Sequence, residues 1–83
     1  MNQNEFDKSD FQRRSVYLFQ IGEFISNRTY YNHIVTLYSL NGYFVEVHYE
    51  PDNNVIDKIE SVRDDKVLER YLFNISINNL LKP

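Results

Sequence analysis

The dipeptide Asn41-Gly42 constrains this chain more than any other feature, because both residues accept the positive φ that a tight two-residue hairpin turn demands. Runs of alternating β-branched and aromatic residues flank it, so residues 33–50 read as one hairpin. A loop of that length fixes the register: Leu40 faces Tyr43, Tyr38 faces Val45, Thr36 faces Val47 and Ile34 faces Tyr49. All of these but Thr36 are apolar or aromatic, so theirs is the face expected to be buried.

The opposite face is mixed. It carries Tyr31, His33, Val35, Leu37 and Ser39 on one strand and Phe44, Glu46, His48 and Glu50 on the other. A solvated face would not ordinarily group Val35, Leu37 and Phe44, so Tyr31, Val35, Leu37 and Phe44 are read as an exposed interaction surface.

A lone hairpin is marginal in water and needs a third strand or a covering helix. Pro51-Asp52-Asn53-Asn54 supplies turn chemistry, and residues 55–62 then return as the third strand, although Ile56, Ile59 and Val62 also fit a helical spacing. Upstream, Phe11, Leu18, Ile21 and Ile25 recur at helical spacing. They predict an amphipathic helix from about residue 8 to 26, capped by Asp7 or Ser9, with a fourth strand within 15–25 as the alternative. Residues 1–6 are polar and expected to fray. Downstream, Asp64 or Asp65 caps a helix running to about Phe73 with Val67, Leu68, Tyr71 and Leu72 inward. Asn74 stops it, and Ser76 restarts a last turn carrying Leu80 and Leu81. The expected fold is α+β in the order α-β-β-β-α: a three-stranded antiparallel meander with the N- and C-terminal helices packed on one face.

Eighty-three residues suffice for a single small domain with one modest core, which makes association with a partner or a second copy attractive. Seven Tyr and six Phe enlarge the area that such a core can bury. The chain has no Cys, which removes disulfides, thiolate metal sites and Cys nucleophiles and suits a reducing compartment. The first residues lack the apolar run of a signal peptide, and Val16-Tyr17-Leu18-Phe19 is too short to span a bilayer, so a cytoplasmic location without membrane contact is expected. The formal charge of −3 is spread along the chain, which disfavours nucleic acid and anionic lipid. Arg13-Arg14, the only basic pair, reads as a solvated helix face.

Chemistry is thinly signalled. Glu46, His48 and Glu50 alternate along one strand, and the hairpin register sets His33 across from Glu50, giving imidazoles and carboxylates that could hold Zn²⁺, Mn²⁺ or Fe²⁺ or act as an acid–base pair. The plainer reading is a charged surface strand. Residues 41–47, Asn-Gly-Tyr-Phe-Val-Glu-Val, superficially resemble the aromatic strand of an RNA-recognition motif. They lead with Asn41 instead of a basic residue, and their adjacent aromatics point to opposite faces. Element order and acidity are similar to those of small acidic secretion chaperones, whose second pair of strands and longer final helix this chain lacks. Nucleophile elbows, phosphate loops and calcium loops are absent. The sequence therefore points to a non-enzymatic protein–protein interaction module, homodimeric and without cofactor. A metal-binding protein or metal-dependent enzyme is the alternative, and a secretion-chaperone-like or RNA-binding module the second.

Overall fold

The computed structural model describes residues 1–71. Their order is α1 (Gln3–Lys8), α2 (Phe11–Ile21), β1 (Glu23–Tyr30), β2 (His33–Leu40), β3 (Tyr43–Glu50) and β4 (Val55–Ser61), followed by a 3-10 turn, Asp65–Leu68. The strands form one antiparallel meander in the order β1-β2-β3-β4. The fold is α+β, but the sheet has four strands where the sequence reading gave three. The expected features of Leu72, Phe73, Asn74, Ser76, Leu80 and Leu81 lie outside the described residues.

The extra strand comes from the segment read as one helix over residues 8–26. The helix ends at Ile21, where the Gly22 N–H donates to the Leu18 carbonyl at 2.7 Å. Gly22 then turns extended, at φ −68° and ψ 142°. A Cβ there would lie 2.5 Å from the Leu18 carbonyl oxygen and 2.9 Å from Leu18 Cδ1, so glycine is needed for close approach at this break. Past it, Phe24 and Ile25 follow their strand propensity.

The N-terminus is corrected as well. The stretch read as frayed, residues 1–6, carries a capped helix start: Asn2 Oδ1 accepts from the Glu5 N–H at 2.8 Å while Glu5 Oε1 accepts from the Asn2 N–H at 3.0 Å. This reciprocal capping box starts α1 and sends Phe6, fully buried, into the core. Asp10, not Asp7 or Ser9, caps α2, accepting from the Arg13 N–H at 2.8 Å.

Register in the central hairpin follows the turn. Asn41 and Gly42 have φ of 52° and 99°, and Leu40, Tyr38, Thr36 and Ile34 pair with Tyr43, Val45, Val47 and Tyr49. β4 interrupts its alternation: His48 pairs with Lys58 but Tyr49 with Ile56, leaving Asp57 as an extra, bulged residue. That bulge lets Ile56 and Ile59, three apart, both serve the core, which explains their helix-like spacing.

The core joins Phe6 and Leu18 to Leu40, Tyr43, Val45, Val47 and Ile59 of the sheet, each fully buried side chain contributing about 1.5–3 kcal/mol. Arg14 binds the layers together and is not the solvated residue its sequence context suggests. Its guanidinium donates to the carbonyls of Phe6 (3.1 Å), Ser9 (3.0 Å), Asp7 (2.6 Å) and Ile59 (2.7 Å). Both helices lie against β4. Tyr71 does not join them on that face: it packs on the other side of the sheet, against Glu46.

Candidate functional site

Two regions merit attention, one on each face. On the helix side, α1 and α2 leave the β1–β2 half open. The side chains there are Phe24, Asn27 and Thr29 of β1 and Ile34, Thr36 and Tyr38 of β2, paired across the ladder, none of them Asp, Glu, Lys, Arg or His. Tyr38 sits between Phe19 of α2, centroids 6.4 Å apart, and Phe24, 6.3 Å apart, both edge-on. Phe19 and Phe24 remain 57% and 59% exposed, so the trio forms an aromatic surface and not a plug in the core.

The opposite face is held by two side-chain bridges, each crossing an intervening strand. Arg28 of β1 reaches over β2 to Glu46 of β3 at 3.2 Å. Tyr71 completes this group, its hydroxyl donating to Glu46 Oε2 at 2.5 Å and its ring lying under the Arg28 guanidinium. Burial, and then the Glu46 carboxylate, push the Tyr71 phenol well above its ordinary pKa. Arg28 pairs with Val35 and Glu46 with Leu37 in the ladder, so the bridge passes over these two side chains. They are 0% and 2% exposed. The expected exposed row is therefore corrected: Val35 and Leu37 are buried on this face, beneath the Arg28–Glu46 bridge. Tyr31 alone of the row stands fully out, 85% exposed, and Phe44 is half-buried.

The second bridge runs from His33 Nε2 to Asp57 Oδ2, 2.8 Å, across β3. It borders a groove of about 360 Å³ lined by Tyr30, His33, His48, Asp57 and Lys58. The hydrogen bond from His33 holds the Asp57 carboxyl below the usual aspartate range. Burial pushes the His48 imidazole below its ordinary pKa, Glu46 opposing, which favours the neutral ring. At the rim Tyr31 takes φ 53°, a left-handed conformation costing a bulky residue about 1–2 kcal/mol.

No match was found among protein-family models, curated proteins or solved structures.

Of His33, Glu46, His48 and Glu50, the two histidines share the groove, but the four do not converge. Asp57 takes His33, Arg28 and Tyr71 take Glu46, and the Asn53 amide donates to Glu50 at 2.8 Å. Among the described residues no three of His, Asp and Glu are grouped so as to hold a metal ion, and no helix is long and apolar enough to cross a membrane. Sequence reasoning missed Asp57, Arg28, Phe19 and Phe24. Asp57 had a signal in the three-residue step from Ile56 to Ile59, which a plain strand cannot place on one face.

Proposed function

We propose that this chain is a non-enzymatic protein–protein interaction module that acts in the cytoplasm and pairs with a second copy of itself. The observation that carries the reading is the open half-face built on Phe19, Phe24, Ile34 and Tyr38. Large rings left half in water gain by being covered, since each buries roughly 150–250 Å² on full enclosure. Charge favours a like partner here. A chain of formal charge −3 disfavours contact with its own copy less where the touching surfaces are neutral, and the β1–β2 part of this face bears no Asp, Glu, Lys, Arg or His. Edge-to-edge pairing through β1 is less suited, because a bulge at Ile25, between the Phe24 and Ser26 pairs, breaks the regular ladder. The absence of cysteine suits a reducing compartment.

Nuclear Overhauser contacts in a mixture of isotope-labelled and unlabelled protein test the reading. Intermolecular contacts from the Phe24 and Tyr38 rings are expected. Their absence at millimolar concentration counts against self-pairing on this face.

A further inference from the structure

We propose that the groove lined by Tyr30, His33, His48, Asp57 and Lys58 binds an uncharged, flat heterocycle with two adjacent N–H donors, guanine being the example. The groove lies on the face opposite the aromatic half-face, so it does not depend on self-pairing. Three local departures meet there. Tyr31, next in the chain to Tyr30, holds φ 53°. A bulge admits Asp57 into β4 as an extra residue opposite His48. His48 itself lines the groove with a half-buried imidazole. A plain antiparallel ladder needs none of these, and bulged or strained backbone collects where a sheet is shaped around a ligand.

The lining side chains set the chemistry. Asp57 is ionised, its carboxyl held below the usual range by His33. A carboxylate has about four acceptor positions. His33 Nε2 takes one at 2.8 Å, and the Asp57 side chain is 47% exposed, so a pair of parallel N–H donors finds acceptors there. His48 makes no side-chain hydrogen bond among the described residues. Its neutral form, favoured by burial, offers one donor and one acceptor. Charge selects against ions of either sign: Asp57, with Glu46 and Glu60 close to His48, repels an anion, while Lys58 and Arg28 oppose a cation. Tyr30 is the aromatic wall, half exposed, with the Tyr31 ring edge-on to it at 4.7 Å and 81°. Aromatic walls of this kind hold flat rings by stacking and edge contacts. A volume of about 360 Å³ suits one base-sized ring system. Guanine carries the matching edge: N1–H and the 2-amino group donate side by side to Asp57, and the adjacent O6 accepts from His48.

An NMR titration of the full chain with guanosine, read at the His48 and Tyr30 ring protons, tests the site. A saturable shift with its midpoint at about 1 mM or below is expected. Inosine, which lacks the 2-amino donor, should bind about tenfold more weakly. Adenosine, whose corresponding edge has no adjacent pair of donors, should give no saturable shift. This nucleoside series needs no variant to fold. Asp57→Asn should lose guanosine, and since it also breaks the bridge, His33→Gln is the control: it removes the imidazole, keeps the carboxylate and should still bind. Absence of a saturable guanosine shift in the wild type overturns the proposal, and so do equal affinities for the three nucleosides. Loss of binding in His33→Gln and Asp57→Asn alike overturns it too, because the bridge and not the carboxylate edge would then be responsible.

Discussion

The Phe24 ring meets the Tyr38 ring edge-on, with centroids 6.3 Å apart and planes at 84°. The contact lies where α1 and α2 stop covering the sheet, and Phe24 stays 59% exposed in it. Its placement follows from two local facts: Gly22 ends α2 early enough for β1 to start, and the bulge at Ile25 separates the Phe24 pair from the Ser26 pair.

Arg14 should prove the most sensitive charged position. Replacing it with Ala strips four backbone carbonyls of a donor and separates α1, α2 and β4, so Arg14→Ala is expected to lower unfolding free energy by about 2–4 kcal/mol. Arg14→Lys should recover only part of this, since an ammonium cannot fan out to four carbonyls spread over α1, its C-cap and β4. The exposed neighbour Arg13→Ala should stay within about 0.5 kcal/mol. Urea titrations of the three variants check the order. Equal losses at positions 13 and 14 would remove Arg14 from its clamping role.

Gly22→Ala and Gly42→Ala should fail for different reasons. At Gly22 the new Cβ meets the Leu18 carbonyl oxygen at 2.5 Å, so helix end and strand start must shift, at a cost of roughly 1–3 kcal/mol. At Gly42 the space is open and only the φ of 99° resists, a backbone cost of about 1 kcal/mol. Crystallography of Gly22→Ala should show a displaced Leu18. An unmoved Leu18 with wild-type stability would refute the close-approach account.

His48 provides the pH dependence. Burial is the main cause of its lowered pKa, with Lys58 and Arg28 acting in the same direction and Glu46 and Glu60 opposing. The folded state therefore favours the neutral ring. Its stabilising effect is complete above the ordinary value of 6.5 and is lost as pH falls from there through the folded pKa. An NMR titration of the ring protons should give a midpoint below 6.5. In His48→Gln the loss of stability over that window should vanish. A midpoint at or above the ordinary value would contradict the burial of this ring.

Much of the sheet was legible in the sequence. Asn41-Gly42 set every pair from Leu40–Tyr43 to Ile34–Tyr49, because a two-residue turn leaves no freedom of register. The strand from Val55 was also readable. β1 was legible only as the alternative, a fourth strand within 15–25, since the spacing of Phe11, Leu18, Ile21 and Ile25 runs smoothly through Gly22, and the clash that forbids helix there exists only in three dimensions. The Asn2–Glu5 capping box, by contrast, was there to be read. The candidate sites were harder. Val35 and Leu37 are buried beneath the Arg28–Glu46 bridge, which spans three strands, and periodicity along β2 carries no such information. Asp57 reaches His33 only because a bulge turns it.

Self-pairing through the open half-face is tested most directly by sedimentation equilibrium over a hundredfold concentration range, comparing the wild type with Phe24→Asp. The exposed apolar residue Val55, away from the aromatic trio, supplies Val55→Asp as a control. Wild type and Val55→Asp should approach twice the 10.0 kDa chain mass at high concentration, while Phe24→Asp stays at the single-chain mass with an unchanged far-UV spectrum. A wild-type mass that remains that of one chain throughout would contradict the proposed role of this face.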